Sequence, residues 1–452
     1  MTKVMEVMVF VHGAVSGRLA YTLDLVLGRL LGCSWKATSR LDEYLSFPYI
    51  RLNYSHQRHA EREVWLRPQG LLDEKNIRSD LPLHAGRNPV GLPYLFKDKG
   101  NTGPDIDFDL LAAGFFMASR YEEYLPFEAD GYGRFPAAAS LAARAQWLHE
   151  PVVQQWADWL GRCMAKVFAL PPFPTPVFQR LLTYDIDIPW AYALRGWRGW
   201  ARASADLLGG KWALSRQRLA AALGREPDPY DTFNYLDALH QRLSGPQPAY
   251  FMLMAPRGPF DPGAPPTHPR LKRLAARLAQ RYAVGIHPSY RSNEPTGQLE
   301  REIRYLTQAL ERPITISRQH FLKLRFPHTY RRLLEAGIRE DYSLAFADAP
   351  GFRAGLAIPF LWYDLERDHT TELLLIPTTF MDVTLRDYLK LGPEAAAAQI
   401  RSLRAGLQKY GGWQVSLWHN SSFSPLHGWA GWREVYEQEV AGPVYSSPTQ
   451  DL

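Results

Sequence analysis

Apolar and polar positions follow different periods in the two parts of the chain. In the first part VMVFVHG is a short apolar run that predicts a strand, and YTLDLVLGRLLG has helical spacing ended by Gly32. DFDLLAAGFFMASRYEEYLPF is again helical in spacing and closes on the acidic pair Glu122 and Glu123, and VVQQWADWLGRCMAKVFAL predicts a further helix. These elements make a mixed α/β domain over residues 1–170. Four prolines in ALPPFPTPVF, residues 169–178, remove backbone donors and favour extended chain, which places a domain junction there.

After the junction strand-like and helix-like segments alternate. The strand-like runs cover residues 178–185, 249–255, 283–289, 313–320, 339–346, 373–380 and 413–419. Between them lie the helical patterns DTFNYLDALHQRL, HPRLKRLAARLAQRY, QLEREIRYLTQAL and HTYRRLLEAG. Such alternation implies a parallel sheet, and about seven units over residues 178–452 predict a distorted (β/α) barrel following the smaller mixed α/β domain. No internal repeat is visible.

Bulk properties narrow the classes. A chain of 452 residues exceeds one ordinary core, and 46% hydrophobic with 13% aromatic residues supplies enough apolar material for several layers. Cys33 and Cys163 make neither a disulfide framework nor a CxxC zinc site. The apolar N-terminal run is broken by Glu6, His12 and glycines, which predicts a first strand and a cytoplasmic protein rather than a signal peptide. No run of eighteen apolar residues predicts a membrane span. The net charge of +6 is spread along the chain, so nucleic acid is not an expected partner.

In a parallel barrel the reacting groups stand at the C-terminal strand ends, which directs attention to TYDID, HPSYRSN, SRQH and LWHN. Asp185 and Asp187, two apart in extended chain, project to one face, where mutual repulsion invites a cation. The plainer alternative is a turn cap before Pro189. His287 closes AVGI as a metal ligand or a structural, hydrogen-bonded histidine. Arg318 and His320 share a face by the same period of two. His419 is a candidate general acid, or a loop-end histidine bonded to a carbonyl.

The order TYDID, GIHPSY, SRQH and SLWH resembles the ordered motifs of the polysaccharide deacetylases, the NodB-homology carbohydrate esterases. The resemblance covers about the last 275 residues. It implies that Asp185 is the catalytic base, that Asp187 and His287 bind a divalent metal (zinc is the expected ion), that Arg318 orients the base, and that His419 is the catalytic acid. It extends more loosely to DYSLAFADAPGFRAG, a substrate-lining loop that includes Arg353, and to LLLIPTTFMDVTL. The first part, with SRYEEYLPF, is similar to an extra N-terminal domain of some deacetylase-like bacterial proteins. The family's second motif carries another histidine four residues after the first, and here that place is Arg291. His320 is the candidate replacement ligand; alternatively Arg291 itself supplies the positive charge and the site is inactive.

The implied activity is metal-dependent removal of an acetyl group from an acetylated sugar or glycan, with a backbone amide near Tyr290 helping to stabilise the oxyanion. The rivals are a catalytically silent glycan-binding barrel and a metal-free amide hydrolase. Tyr290, Arg291, Trp190 and Trp418 stand near the motifs as substrate-binding candidates, with Trp362 and Tyr363 as further stacking candidates, each against a reading as core packing. Residues 191–224 set Trp197, Trp200 and Trp212 among Arg195, Arg198, Arg202, Lys211, Arg216 and Arg218. That is the pattern of a helix lying on the inner, anionic membrane face, suited to a lipid-linked glycan, or of an insert packed on the barrel. Nothing in the sequence sets the oligomeric state.

Overall fold

The computed structural model describes residues 5–442, apart from 82, 99, 101, 102, 195, 196, 244 and 295. In the first part β1 (Glu6–Val11), β2 (Ser34–Thr38), β3 (Ile50–Tyr54) and β4 (Val64–Leu66) form a parallel sheet in the order β2-β1-β3-β4. The run EVMVFV becomes β1 because it is apolar on both faces, and it is buried from Val7 to Val11. The segment ended by Gly32 is helical as expected, regular over Gly17–Leu23 and wider over Asp24–Leu30, and Gly32 takes a φ of +64° to turn the chain out. Helix Leu110–Ala118 is buried on every side. Its start is fixed by Asp109, whose carboxylate accepts from Ala112 N at 2.9 Å and from the Tyr54 hydroxyl at 2.8 Å. The helix ends sooner than its spacing suggests, because Arg120 turns to a φ of +55° and Tyr121–Tyr124 form a single tight turn. Helix Val152–Phe168 then leads into residues 169–178, which carry no regular structure past Ala169. A short hairpin of β5 (Gly86–Arg87) and β6 (Pro93–Tyr94) stands apart from the main sheet.

The second part contains β7 (Gln179–Ile186), β8 (Ala249–Met252), β9 (Ala283–Ile286), β10 (Ile316–Ser317), β11 (Glu340–Asp341), β12 (Phe360–Asp364), β13 (His369–Leu375), β14 (Phe380–Met381) and β15 (Trp413–His419). They lie in one sheet ordered β12-β13-β11-β10-β9-β8-β7-β15-β14, parallel throughout except that β12 runs against β13. β13 borders β11 through Leu375 and Asp341, and a few residues later β14 borders β15 through Phe380 and Ser416, so one stretch of chain reaches both. Helices Phe233–His240, Pro269–Ala279, Gln298–Leu310 and His328–Glu335 fall where the periodicity places them. Pro393–Tyr410 adds a long helix before β15.

Parallel register delivers the strand ends to one rim. Asp185 of β7 is opposite His419 of β15, and Ser317 of β10 is opposite Ile286 of β9, so Arg318 and His287 follow side by side. Gly285 lets β9 and β10 approach, since a Cβ there would lie 2.6 Å from the Ile316 carbonyl oxygen.

The two parts are joined by buried charge. Arg353 donates to both oxygens of Glu123, at 2.9 and 2.5 Å, while Arg120 donates to Glu123 Oε1 at 2.7 Å, to Glu122 at 2.9 Å and to the Arg353 carbonyl. Burial pushes the Glu123 carboxyl up, but Arg353 and Arg120 outweigh it and hold it below its ordinary value. The substrate-lining role expected for Arg353 is therefore corrected: its guanidinium is consumed in this junction.

Candidate metal centre and active site

Asp185, Asp187, His287, His320 and His419 converge at the rim, although they come from segments far apart in sequence. The His287 Nδ1 lies 2.5 Å from the Arg318 carbonyl oxygen, which only accepts, so this nitrogen carries a proton and Nε2 is the atom turned to the cluster. That Nε2 faces Asp187 Oδ1 at 3.2 Å and Asp185 Oδ2 at 3.6 Å. His320 repeats the arrangement, with Nδ1 2.9 Å from Asp261 Oδ1 and Nε2 3.4 Å from Asp187 Oδ2. One oxygen of Asp187 and the two Nε2 atoms lie within 4.8 Å of one another.

This donor set meets the needs of a divalent ion. Asp187 Oδ1 and His287 Nε2 are buried atoms without a hydrogen-bond partner, and with His287 neutral they are two acceptors aimed at each other. A gap of that kind is costly unless a proton or a cation fills it. Imidazoles whose outer nitrogens are tied to a carbonyl and a carboxylate are oriented as metal ligands are, and the residues fit the group. Without an ion His320 itself responds to Asp187. Burial pulls His320 down, but Asp187 and Asp261 outweigh it and lift it to about 9. Burial likewise raises the Asp187 carboxyl, yet His320 and His287 hold it well below the ordinary carboxylate range.

Around this centre stand two groups suited to proton transfer. Arg318 donates to Asp185 Oδ1 at 3.0 Å and to Thr183 at 2.7 Å, with its guanidinium stacked 4.5 Å from the Phe251 ring centroid, so Asp185 is fixed with Oδ2 toward the cluster. His419 is fixed by Asp382, whose Oδ1 is 2.8 Å from Nδ1 and whose Oδ2 accepts the His419 backbone N–H at 2.7 Å. Its Nε2 comes within 3.5 Å of Asp187 Oδ2. Burial lowers His419, but Asp382 more than offsets this and, with Asp187 and Asp185, raises it to about 10.

Asp261 and Asp382 went unnoticed in the sequence. Asp382 closes the apolar run LLLIPTTFMD, the signal that singled out Asp185, whereas Asp261 lies in the loop GPFDPG and carries no local mark.

Several substrate-binding candidates stand elsewhere. Trp418 is fully buried, donates to Glu439 at 2.8 Å and stacks on Phe423; on a strand it must face away from its neighbour His419. Trp362 and Tyr363 are buried in the core. Arg291 is exposed and forms no ion pair with the clustered carboxylates. The Tyr290 amide is already spent on Asp261 at 3.0 Å, so it is not available to an oxyanion. The Tyr290 ring is half-buried beside Phe260. Trp190 is buried next to the end of β7, its Nε1 on Asp231 at 3.3 Å and its ring covered by Arg270 at 4.3 Å, so it does not serve as a sugar-stacking face.

Residues 7–169 match the profile of a family of unknown function (DUF7033), which ends at the proline-rich junction. No curated protein matches the sequence. Among solved structures the chain is similar to a Mycobacterium smegmatis protein assigned to the polysaccharide deacetylases, at 15% identity over 59% of this chain and 89% of that one, with a TM-score of 0.35. A polysaccharide deacetylase of Bacillus cereus gives 12%, 58%, 86% and 0.29 in the same terms. A CE4-family pseudoenzyme of Bacillus anthracis gives 11%, 61%, 68% and 0.26.

Proposed function

We propose that this protein is a metal-dependent hydrolase that removes an acetyl group from an acetylated sugar or glycan. It would do so on a distorted barrel in which residues 369–381 form the stave between β11 and β15. The observation that carries the reading is the pair of buried, unpartnered atoms Asp187 Oδ1 and His287 Nε2, facing each other at 3.2 Å. Asp187, His287 and His320 would hold the ion, and zinc suits one carboxylate with two imidazoles. When bound, the ion supplies polarisation of an acyl oxygen and a water of lowered pKa.

The remaining work falls to side chains of this chain. Asp185 Oδ2, turned toward the cluster while Arg318 holds Oδ1, accepts the proton of the attacking water. His419 delivers a proton from Nε2 to the departing amine or alkoxide, and Asp382 keeps its Nδ1 protonated and its ring aimed inward. The half-buried ring of Tyr290 is the surface offered to a sugar ring.

A lipid-linked glycan would be met at a membrane face, and we place that contact at the helices Trp197–Leu208 and Trp212–Ala222. Leu208 is 89% and Trp212 68% exposed at the turn between them, beside Lys211. Arg195 lies outside the described residues, as do the side chains of Trp197, Arg198 and Trp200. No helix among the described residues is long and apolar enough to cross a membrane.

The test uses the full chain, stripped of metal and reloaded with zinc. One zinc per chain, lost in Asp187→Ala and in His287→Ala, together with acetate release from an acetylated oligosaccharide, is the expected result. Zinc uptake without acetate release would favour the silent glycan binder, and acetate release that survives chelation the metal-free amide hydrolase.

A further inference from the structure

His320 is carried on a turn with an unusual backbone. Phe321 and Leu322, the next two residues, both have positive φ, +63° and +52°, although neither is glycine. Consecutive left-handed residues with a Cβ cost about 1–2 kcal/mol each and persist only where the surroundings enforce them. Within its own sheet the turn is tied by His320 N to the Pro288 carbonyl at 3.0 Å and by the imidazole to Asp261. Gln319 N also donates to the Ser343 hydroxyl at 2.8 Å and Leu322 is buried against Ala345, Ala347, Met381 and Leu417, and the first part of the chain adds a restraint of its own. Arg134, 5% exposed, donates from Nη1 to the Phe321 carbonyl at 3.0 Å.

That guanidinium has little freedom to do anything else. Its Nε donates to Asp130 at 2.7 Å and its Nη2 to the Tyr388 hydroxyl at 2.9 Å, so three donors fix its plane. Two residues before it, Tyr132 lays its ring 4.9 Å from that of Phe321, and its carbonyl accepts the Tyr290 hydroxyl at 3.1 Å. The segment Asp130–Arg134 therefore grips the His320 turn from outside, with a charged hand on its carbonyl and a ring on its side chain.

We infer that Arg134 is a positioning residue for the third metal ligand, so that the N-terminal part of this chain completes the ion-binding site of the C-terminal part through the Phe321–Leu322 turn. The inference rests on the metal reading given above. With Arg134 removed, the Phe321 carbonyl loses its donor and the left-handed pair can relax, carrying His320 Nε2 away from Asp187. Loss of a group that orients a ligand typically weakens metal binding by about 10–100-fold.

The experiment titrates metal-free full-length protein with Co²⁺ and reads both affinity and the visible absorption of the bound ion. In Arg134→Ala the affinity should fall by about 10–100-fold and the spectrum should move toward that of His320→Ala. Arg134→Lys, which keeps a charge but cannot reach three acceptors at once, should recover part of both. Glu123→Gln, which loosens the junction between the two parts without touching the turn, should lower the melting temperature and leave the spectrum in place. A folded Arg134→Ala with unchanged affinity and spectrum overturns the inference while the metal reading stands. If Arg134→Ala does not fold, Tyr132→Leu is read in its place, and unchanged affinity there overturns the inference equally. A wild-type protein that takes up no Co²⁺ overturns the metal reading and this inference together.

Discussion

Replacing Asp382 by Asn should strip His419 of its proton at a lower pH. Asp382 accepts the imidazole Nδ1–H at 2.8 Å, the His419 amide at 2.7 Å and the Ser422 hydroxyl at 2.5 Å, all while fully buried. An amide keeps the shape but offers one acceptor atom and no charge. A hydrogen bond to a charged group is worth about 1.5–3 kcal/mol, and one pK unit about 1.4 kcal/mol, so the imidazole should titrate about 1–2 units lower. The reference point in the metal-free protein is about 10. Because the folded imidazole holds its proton above its ordinary value, its contribution to stability is full below pH 6.5 and is lost as pH rises through about 10. In the variant that loss comes earlier. NMR titration of labelled histidine in metal-free protein gives the pKa directly, and the basic limb of the deacetylation profile should move in the same direction. A His419 that titrates unmoved in Asp382→Asn would refute the claim that this carboxylate sets its charge.

Asp185→Asn should retain the metal and lose about 10²–10⁴-fold in turnover, the usual worth of a positioned general base; zinc analysis beside acetate release checks it, and near-wild-type turnover removes Asp185 from the mechanism. Glu123→Gln leaves Arg353 and Arg120 facing a neutral amide in a buried junction and should cost about 3–5 kcal/mol in denaturant unfolding. A loss confined to a few tenths would show that the junction tolerates the unpaired cations. Leu208→Glu combined with Trp212→Glu should abolish co-sedimentation with vesicles containing anionic lipid and leave hydrolysis of a water-soluble substrate intact. Equal sedimentation of the variant, or none by the wild type, would dismiss the membrane contact.

The parts of the fold that could be read in advance are those where a residue's neighbours in sequence decide its surroundings. Strand β7 and helix Gln298–Leu310 follow from apolar runs and helical spacing, because burial on one or both faces imposes that pattern directly. Asp185, Asp187, His287 and His419 were visible because each closes such a run, and they do meet at one rim. His320, which stands in for the missing second histidine, is brought beside Asp187 by the register of β9 and β10. Asp261 and Asp382 were hidden for the opposite reason: their purpose lies in an imidazole from a distant segment. For Trp418 and Arg353 proximity in sequence to the motifs does not mean proximity to the site. A strand sends Trp418 to the face opposite His419, and Arg353 answers to a carboxylate on the far side of the proline-rich junction. Glu122 and Glu123, read as the end of a helix, are instead the other half of that contact.

The lock between Arg353 and Glu123 bears on how such a chain can be inherited. Glu123 keeps Arg120 of its own half beside it, but among the described residues Arg353 finds its carboxylate across the junction, so exchanging the first half for a stranger strands a buried guanidinium. Recombination at the proline-rich seam, where cutting and splicing look easiest, is for that reason the exchange least tolerated by selection, and the two halves should travel through descent as a single cargo.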